Sequence, residues 1–422
     1  MLDSIRLRAP ALDAARSRAR AARGERLSAG SLGNPMLMYQ VENTSFPGAG
    51  PIASMSPEHM ITATLPMSPL YQRSARVAQA NARVRAAYAE ARATGQLLAL
   101  NAARAYYRSA IADITTDAAD DLAHWLDSLV VYNRTRVEQG VAAEVDLVRA
   151  EVERDRALAD ASMQAAESAR ARAELAVFLG EPNALTIGFR VAVVDTPLAL
   201  PPARDAGLPS NLPNDATMAR ESALIDRRPD IIAERERLSA ARAGTLLESR
   251  MRFEDVGATF GIKATGGTSS MIAGFSLPMP LFDVNRGGVA RARAERDAVA
   301  SELEVRRREA RAELLGAQDA ARILTERTVL LARRDTINRR SLFLARADEA
   351  RAITLGAYRE GAVPLLQVLD AARARGDARL AYFRTLYAQH EAVLALIVAR
   401  GDDLVDVLFA RTPAPTRGSF PR

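Results

Sequence analysis

Residues 358–374 read YREGAVPLLQVLDAARA and contain Pro364, the only proline between Leu281 and Thr412. A second proline-free run extends from Leu70 to Glu181. Proline costs about 3 kcal/mol inside a helix, so two such runs predict two very long helical regions. Gly361 and Pro364 mark the point where the second region must reverse. Glycine supplies permissive backbone at such a reversal. Proline is tolerated in the first turn of the returning helix, where its missing N–H is not needed.

The same plan occurs twice. EQGVAAEVDLVRA (138–150) aligns with REGAVPLLQVLDA (359–371) at a shift of 221 residues, which places Gly140 on Gly361 and Ala150 on Ala371. Without a gap, that shift also places Leu175 on Leu396 and Gly180 on Gly401. RAPALDAARSRA (8–19) resembles RRPDIIAERERL (227–238), and TLPMSPLYQR (64–73) resembles FSLPMPLFDVNR (275–286). The chain is therefore read as an internal duplication with a period of about 220 residues. Each copy is expected to hold a helix of roughly 65 to 70 residues, a rod on the order of 100 Å, that returns as a shorter helix. In the second copy Ile323, Leu330, Ile337 and Leu344 recur every seven residues, with Leu324 and Leu331 beside them. That spacing predicts a coiled-coil-like stripe.

Composition agrees with long helices. Apolar residues make up 48% of the 422, but aromatics only 5%, which argues against a compact mixed core. Cysteine is absent, so there is no disulfide, thiolate metal site, cysteine nucleophile or lipid-accepting thiol. Of the 57 basic residues all but Lys263 are arginine, interleaved with acids as in ERERLSAARA (234–243) and RRREARAELL (306–315). Such text predicts solvated helix faces with i,i+4 pairs, not a nucleic-acid surface. No stretch approaches the ~20 apolar residues of a membrane-spanning helix. The opening MLDSIRLRAPALDAARSRARAARGE has no apolar core of a secretory signal, so the chain is expected to be cytosolic or to be shown without its targeting segment.

Between the helices the period changes. In VGATFGIKATGG (256–267), Val256, Ala258, Phe260, Ile262 and Ala264 alternate with Gly, Thr, Gly, Lys and Thr. MIAGFSLPMP (271–280) alternates Met271, Ala273, Phe275 and Leu277 with smaller residues. The first copy offers Leu37, Tyr39 and Val41, then Ile61, Ala63 and Leu65. Period-two alternation predicts two strands per copy. They are joined by the loops NTSFPGAGPIASMSPEH (43–59) and GGTSS (266–270). An isolated strand pair is marginal in water, and four strands are too few to close a barrel. Two readings stand side by side: a membrane barrel completed by oligomerisation, or a small soluble sheet packed on helix ends.

No catalytic set is present. His59, His124 and His390 are the only histidines and lie far apart in sequence. Gly261 and Lys263 are not adjacent, so GATFGIKATGG fails the phosphate-loop spacing. No catalytic, cofactor-binding or metal-binding residue is assigned, and a conduit or scaffold is expected. The candidate residues are the polar ones near the reversals: Asp146, Asp370, and Gln367, which occupies the position matching Asp146. A carboxylate in the first turns of a return helix can simply complement the helix N-terminus. In a symmetric tube the same side chains would form selective acidic rings.

The words that carry the duplication resemble those of the TolC-type outer-membrane efflux channels, the outer membrane factors. They are NPMLMYQVEN (34–43), VEQGVAAEVDLVRAEVE (137–153), RRPDIIAERERLSAARA (227–243), FSLPMPLFDVNRGGVARARAE (275–295), YREGAVPLLQVLDAARA (358–374) and LIVARGD (396–402). The VEN segment and LPMPLFDVNRGG look most like the cobalt–zinc–cadmium (CzcC-like) heavy-metal branch. The resemblance implies a mostly α fold with a membrane β-barrel: two tandem repeats, each a strand pair plus a long antiparallel hairpin. Three chains would form a twelve-stranded barrel and a periplasmic helical tunnel. It also implies a homotrimer in the outer membrane of a Gram-negative bacterium, a periplasmic adaptor (membrane fusion protein), an inner-membrane RND transporter, and contact with outer-membrane lipid.

On that plan residues 1–34 are the first helix of repeat 1, 35–68 its strand pair, and 69–180 its hairpin with a tip near 138–146. Pro-rich 181–215 is the linker and equatorial belt. Repeat 2 has a first helix at 216–254, strands at 255–281 and a hairpin at 282–403 with a tip near 356–364; 404–422 is a tail. Family members close the tunnel at the tips. Asp146 and Asp370 match acidic tip positions, Gln367 replaces an acid, and Tyr358 matches a tip tyrosine that could bond toward Asp146. Gly140, Val141, Gly361, Ala362 and Pro364 fall where the family turns and meets its adaptor. An arginine found in some members two residues after the second tip glycine is here Val363. The function implied is a passive exit duct for heavy-metal cations or small toxic compounds. The alternatives are a soluble elongated coiled-coil scaffold or adaptor, and the outer-membrane duct of a type I protein secretion system.

Overall fold

The computed structural model describes residues 9–44, 56–179, 192–200, 214–253, 256–280, 283–334 and 341–404. Its elements follow in order: α1 (Pro10–Gly30), β1 (Met36–Glu42), β2 (Glu58–Pro66), α2 (Ser68–Glu138), α3 (Glu144–Leu179), α4 (Asn214–Ile225), α5 (Pro229–Arg250), β3 (Gly257–Thr265), β4 (Thr268–Ser276), α6 (Arg286–Leu331), α7 (Leu342–Arg359) and α8 (Leu365–Ala399). Two compact units emerge: one from the described residues of Ala14–Arg92 and Pro229–Arg308, the other from those of Met1–Asp13, Ala93–Arg228 and Glu309–Arg422.

The first unit holds all the described strands. They form one antiparallel sheet in the order β1-β2-β3-β4, with the strands of the two repeats meeting at β2–β3. The register pairs Tyr39 with Ile61, Ile61 with Ile262 and Ile262 with Met271, so these four share a face. Leu37, Ala63, Phe260 and Phe275 lie on that face too. It is apolar, and open: Leu37 is 74% exposed, Ile262 61% and Met271 85%. The opposite face carries Gln40, Glu42, Glu58, Thr62, Thr64, Thr259 and Lys263, with Thr64 and Thr259 hydroxyls hydrogen-bonded at 3.0 Å. At Gly261 an added Cβ would lie 3.0 Å from the Thr62 Cα, so this close strand approach requires glycine.

The β3–β4 loop is shorter than the expected GGTSS. Only Gly266 and Gly267 turn, both at positive φ (53° and 85°), and Thr268–Ser270 already pair with β3. Two residues with positive φ give the tight hairpin whose twist suits flanking strands. Arg/Glu-rich text in the same unit reaches further than local pairing. Arg85 bonds Glu236 at 2.8 Å from another helix, and Arg237 pairs with both Glu234 and Glu90.

The second unit contains both hairpin reversals. Alanine is frequent among its buried residues: Ala99, Ala102, Ala103, Ala105, Ala110 and Ala112 of α2 are all buried. Large side chains gather in two clusters. One holds Leu126, Leu129, Val130, Tyr358, Leu365, Val368 and Leu369 near the reversals. The other holds Ile114, Leu175, Tyr382, Phe383, Leu386 and Tyr387.

The long helix of the first repeat is continuous over 71 residues, as expected. That of the second is not: it stops at Leu331 and restarts at Leu342. Absence of proline did not guarantee continuity. The Ser341 hydroxyl donates to the Leu331 carbonyl at 2.8 Å and caps α7, accepting from the Leu344 N–H at 3.5 Å. Arg334 and Ser341 form an isolated antiparallel bridge. The sevenfold stripe is open at two of its positions within the single chain. Ile323 and Leu330 are 55% and 53% exposed, while Leu314, Ala321 and Thr328, on another sevenfold row, are buried. Ile337 lies outside the described residues.

Of the Pro-rich linker, residues 192–200 are described, and side chains hold their backbone. Tyr106 donates to the Ala192 carbonyl at 2.7 Å, the Val194 N–H donates to the Tyr387 hydroxyl at 3.3 Å, and His390 donates to the Thr196 carbonyl at 2.9 Å. The Gln389 amide pairs with both backbone groups of Leu198, at 3.1 and 2.6 Å. Tyr382 bonds the Asp195 carboxylate at 2.6 Å, and Arg334 donates to the Asp195 carbonyl at 2.8 Å. Backbone groups of this described stretch are thus satisfied by side chains, as a strand's would be by a neighbouring strand.

Candidate functional site

The two reversals have one geometry. After α2, the N–H of Val141 bonds the Arg136 carbonyl at 2.9 Å and that of Gly140 the Val137 carbonyl at 2.9 Å. After α7, the N–H of Ala362 bonds the Ala357 carbonyl at 2.8 Å and that of Gly361 the Tyr358 carbonyl at 3.0 Å. Both are Schellman caps, with Gly140 at φ 72° and Gly361 at φ 78°. The shift of 221 residues therefore holds at the level of individual hydrogen bonds. Pro364 sits one residue earlier than expected, as the N-cap of α8, with φ −74° and ψ 157°.

Between the reversals lies a buried polar link. Tyr358, 5% exposed, donates its hydroxyl proton to Asn133 Oδ1 at 2.6 Å, and Asn133 Nδ2 donates to the Leu129 carbonyl at 3.0 Å. The Arg136 guanidinium lies 5.6 Å from the ring centres of both Tyr132 and Tyr358, and the two rings meet edge to face at 6.2 Å. Burial raises the Tyr358 pKa against the opposing pull of Arg136 and Asn133, so the phenol remains a donor at neutral pH.

The acidic candidates are placed differently. Asp146 is half-buried in the first turn of α3, its N–H bonded to the Ala143 carbonyl at 3.0 Å. The tyrosine expected to bond toward it bonds Asn133 instead. Asp370 and Gln367 are exposed on α8; Asp370 is 3.8 Å from Arg373, whose stronger partner is Glu153 on α3. Val141 is 60% exposed and begins a stripe with Val145, Val148 and Val152 on α3. The sequence reading missed Asn133 and Arg136. The signal was there: Leu126, Leu129, Val130 and Asn133 share one helical face, and a fully buried amide on it needs a partner.

Among the described residues no helix is long and apolar enough to cross a membrane, and no group of three or more His, Cys, Asp or Glu could hold a metal ion.

Residues 1–181 match the family described as outer membrane efflux protein. No curated protein matches the chain at the level of sequence. Among solved structures, the outer membrane protein VceC of Vibrio cholerae is similar at TM-score 0.74 and 18% identity, covering 96% of this chain and 95% of that one. CusC, whose structures concern folding and transmembrane channel formation, gives 0.73 and 19%, over 95% and 91%. The outer-membrane channel OprN gives 0.74 and 22%, over 96% and 89%. The first 181 residues thus carry the outer-membrane efflux pattern, and 95–96% of the chain carries the fold seen in the solved outer-membrane channels. Similarity to these three folds is nearly equal, so the cobalt–zinc–cadmium branch is not singled out.

Proposed function

We propose that the protein is the outer-membrane exit duct of a tripartite efflux pump. It acts as a homotrimer with a periplasmic adaptor and an inner-membrane RND transporter, and passively exports heavy-metal cations or small toxic compounds. The observation that carries the reading is the sheet. One face is apolar and open, the opposite face mixes Gln40, Glu42, Glu58, Lys263 and several threonines with Met36, Met38, Met60 and Ile272, and among the described residues β1 and β4 each leave an edge unpaired. A soluble scaffold would bury that apolar face and cover those edges. A closed barrel of three such sheets needs an apolar exterior, a polar lumen and no edges.

The reversals fit the periplasmic entrance of that duct. Tyr358, Asn133 and Arg136 tie the two hairpins of one chain, while Asp146, Gln367 and Asp370 would line the opening. Gly140, Val141, Gly361, Ala362 and Pro364 form the surface offered to the adaptor, with the exposed valine stripe as its apolar part. Removal of the gene is expected to raise sensitivity to cobalt, zinc and cadmium if metals are the cargo, and to dyes and detergents if organic compounds are. Unchanged sensitivity to both classes, in a strain without a second duct, would contradict the efflux role. Loss of polypeptide secretion instead would favour the type I duct.

A further inference from the structure

All the formal charges of the two strand pairs reside in three residues. Between Pro35 and Pro66 the sequence has Glu42 and Glu58, and between Val256 and Phe282 it has Lys263. The loop from Asn43 to Pro57 and the Gly266–Gly267 turn carry none. The register brings the three to one corner of the sheet: Glu42 pairs with Glu58, Glu58 with Thr265, and Met60 with Lys263. All three therefore project from the polar face.

That corner lies at the strand ends away from Met36, Pro66, Gly257 and Ser276, the ends that connect to α1, α2, α5 and α6. Lys263 is ion-paired with Glu58 across the seam between the repeats, and Gln40 Nε2 donates to Glu42 Oε1 at 2.8 Å. Lys263 is also the only lysine in the chain, with its side chain 33% exposed.

We propose that Glu42, Glu58 and Lys263 form a charge-selective ring at the outer mouth of the duct. The inference rests on the exit-duct reading, which places the helix-bearing strand ends in the periplasm and the polar face in the lumen. Each protomer contributes two carboxylates and one ammonium, a net charge of −1, and no other formal charge of the strand segments competes. Rings of carboxylates in a low-dielectric wall favour cations. Lys263 restrains that preference by cancelling the field of Glu58. Neutralising Lys263 leaves −2 per protomer, and neutralising Glu42 leaves zero.

The test uses the full chain in planar lipid bilayers under a KCl gradient, with the reversal potential as readout. Lys263→Gln is expected to raise cation over anion permeability by about twofold or more, Glu42→Gln to lower it, and Lys263→Arg to leave it unchanged. A membrane-impermeant amine-acylating reagent should shift the wild type as Lys263→Gln does and leave Lys263→Arg unmoved, because any α-amino group is common to both. Conducting channels whose reversal potentials ignore all three substitutions and the reagent would overturn the ring alone. Failure of every variant and the wild type to conduct would overturn the duct reading, and the ring with it.

Discussion

Tyr358 at the end of α7 and Asn133 on α2 are joined by a buried 2.6 Å hydrogen bond that ties the two hairpins of one chain next to their reversals. Asn133 is fully buried and its amide is spent on the Leu129 carbonyl, so its Oδ1 depends on this donor. Tyr358→Phe is expected to destabilise the fold by about 1–3 kcal/mol, since a buried acceptor is left unmade. Asp146→Asn, at a half-buried site with no comparable partner, is expected to cost less than about 0.5 kcal/mol. Denaturant unfolding of both variants decides between them, and equal effects would mean that the link runs through Asp146.

The reversal glycines make a second prediction. Gly140 and Gly361 hold positive φ with nothing within 4 Å of an added Cβ, so substitution costs backbone strain and no clash. Alanine at Gly361 is expected to cost about 1–2 kcal/mol and asparagine distinctly less. Matching losses for the two residues in thermal unfolding would point to a steric cause instead.

His390 gives a pH prediction. Burial lowers its pKa below the ordinary 6.5, opposed by its bond to the Thr196 carbonyl. The flanking phenols stay neutral: burial raises Tyr107, and burial pushes Tyr387 up to about 12. With the folded pKa lowered, the unfolded chain binds the extra proton first. Stability is therefore full above about pH 6.5 and declines as pH falls from there toward the folded pKa. His390→Gln keeps a donor for Thr196 and should flatten this part of the stability curve. An unchanged slope would assign the acid sensitivity to carboxylates.

Gln389 should control the order of the linker. Its amide satisfies both backbone groups of Leu198, so Gln389→Leu is expected to speed amide exchange at Leu198 about tenfold or more. Protection as in the wild type would show that the remaining contacts suffice.

How far the sequence reached depends on what each feature rests on. Gly140 and Gly361 were legible because positive φ is a local demand that glycine answers within one turn. The strands were legible from alternation, which the register preserves from Tyr39 through Ile61 and Ile262 to Met271. The break at Leu331 was not, because it is made by Ser341 and by Arg334 reaching Asp195, contacts distant in sequence and marked by no proline. The Tyr358 partner was missed for the same reason: 225 residues separate it from Asn133. Ile323 and Leu330 repeat every seven residues yet face outward within the chain, so periodicity found a face and not what covers it.

The measurement closest to the central claim is fractionation of the native gene product, followed by detergent extraction and mass determination. The account predicts an outer-membrane protein that extracts only with detergent, as a trimer of three 45.5 kDa chains. A soluble monomer would contradict it, and the open apolar face of the sheet would then need another cover.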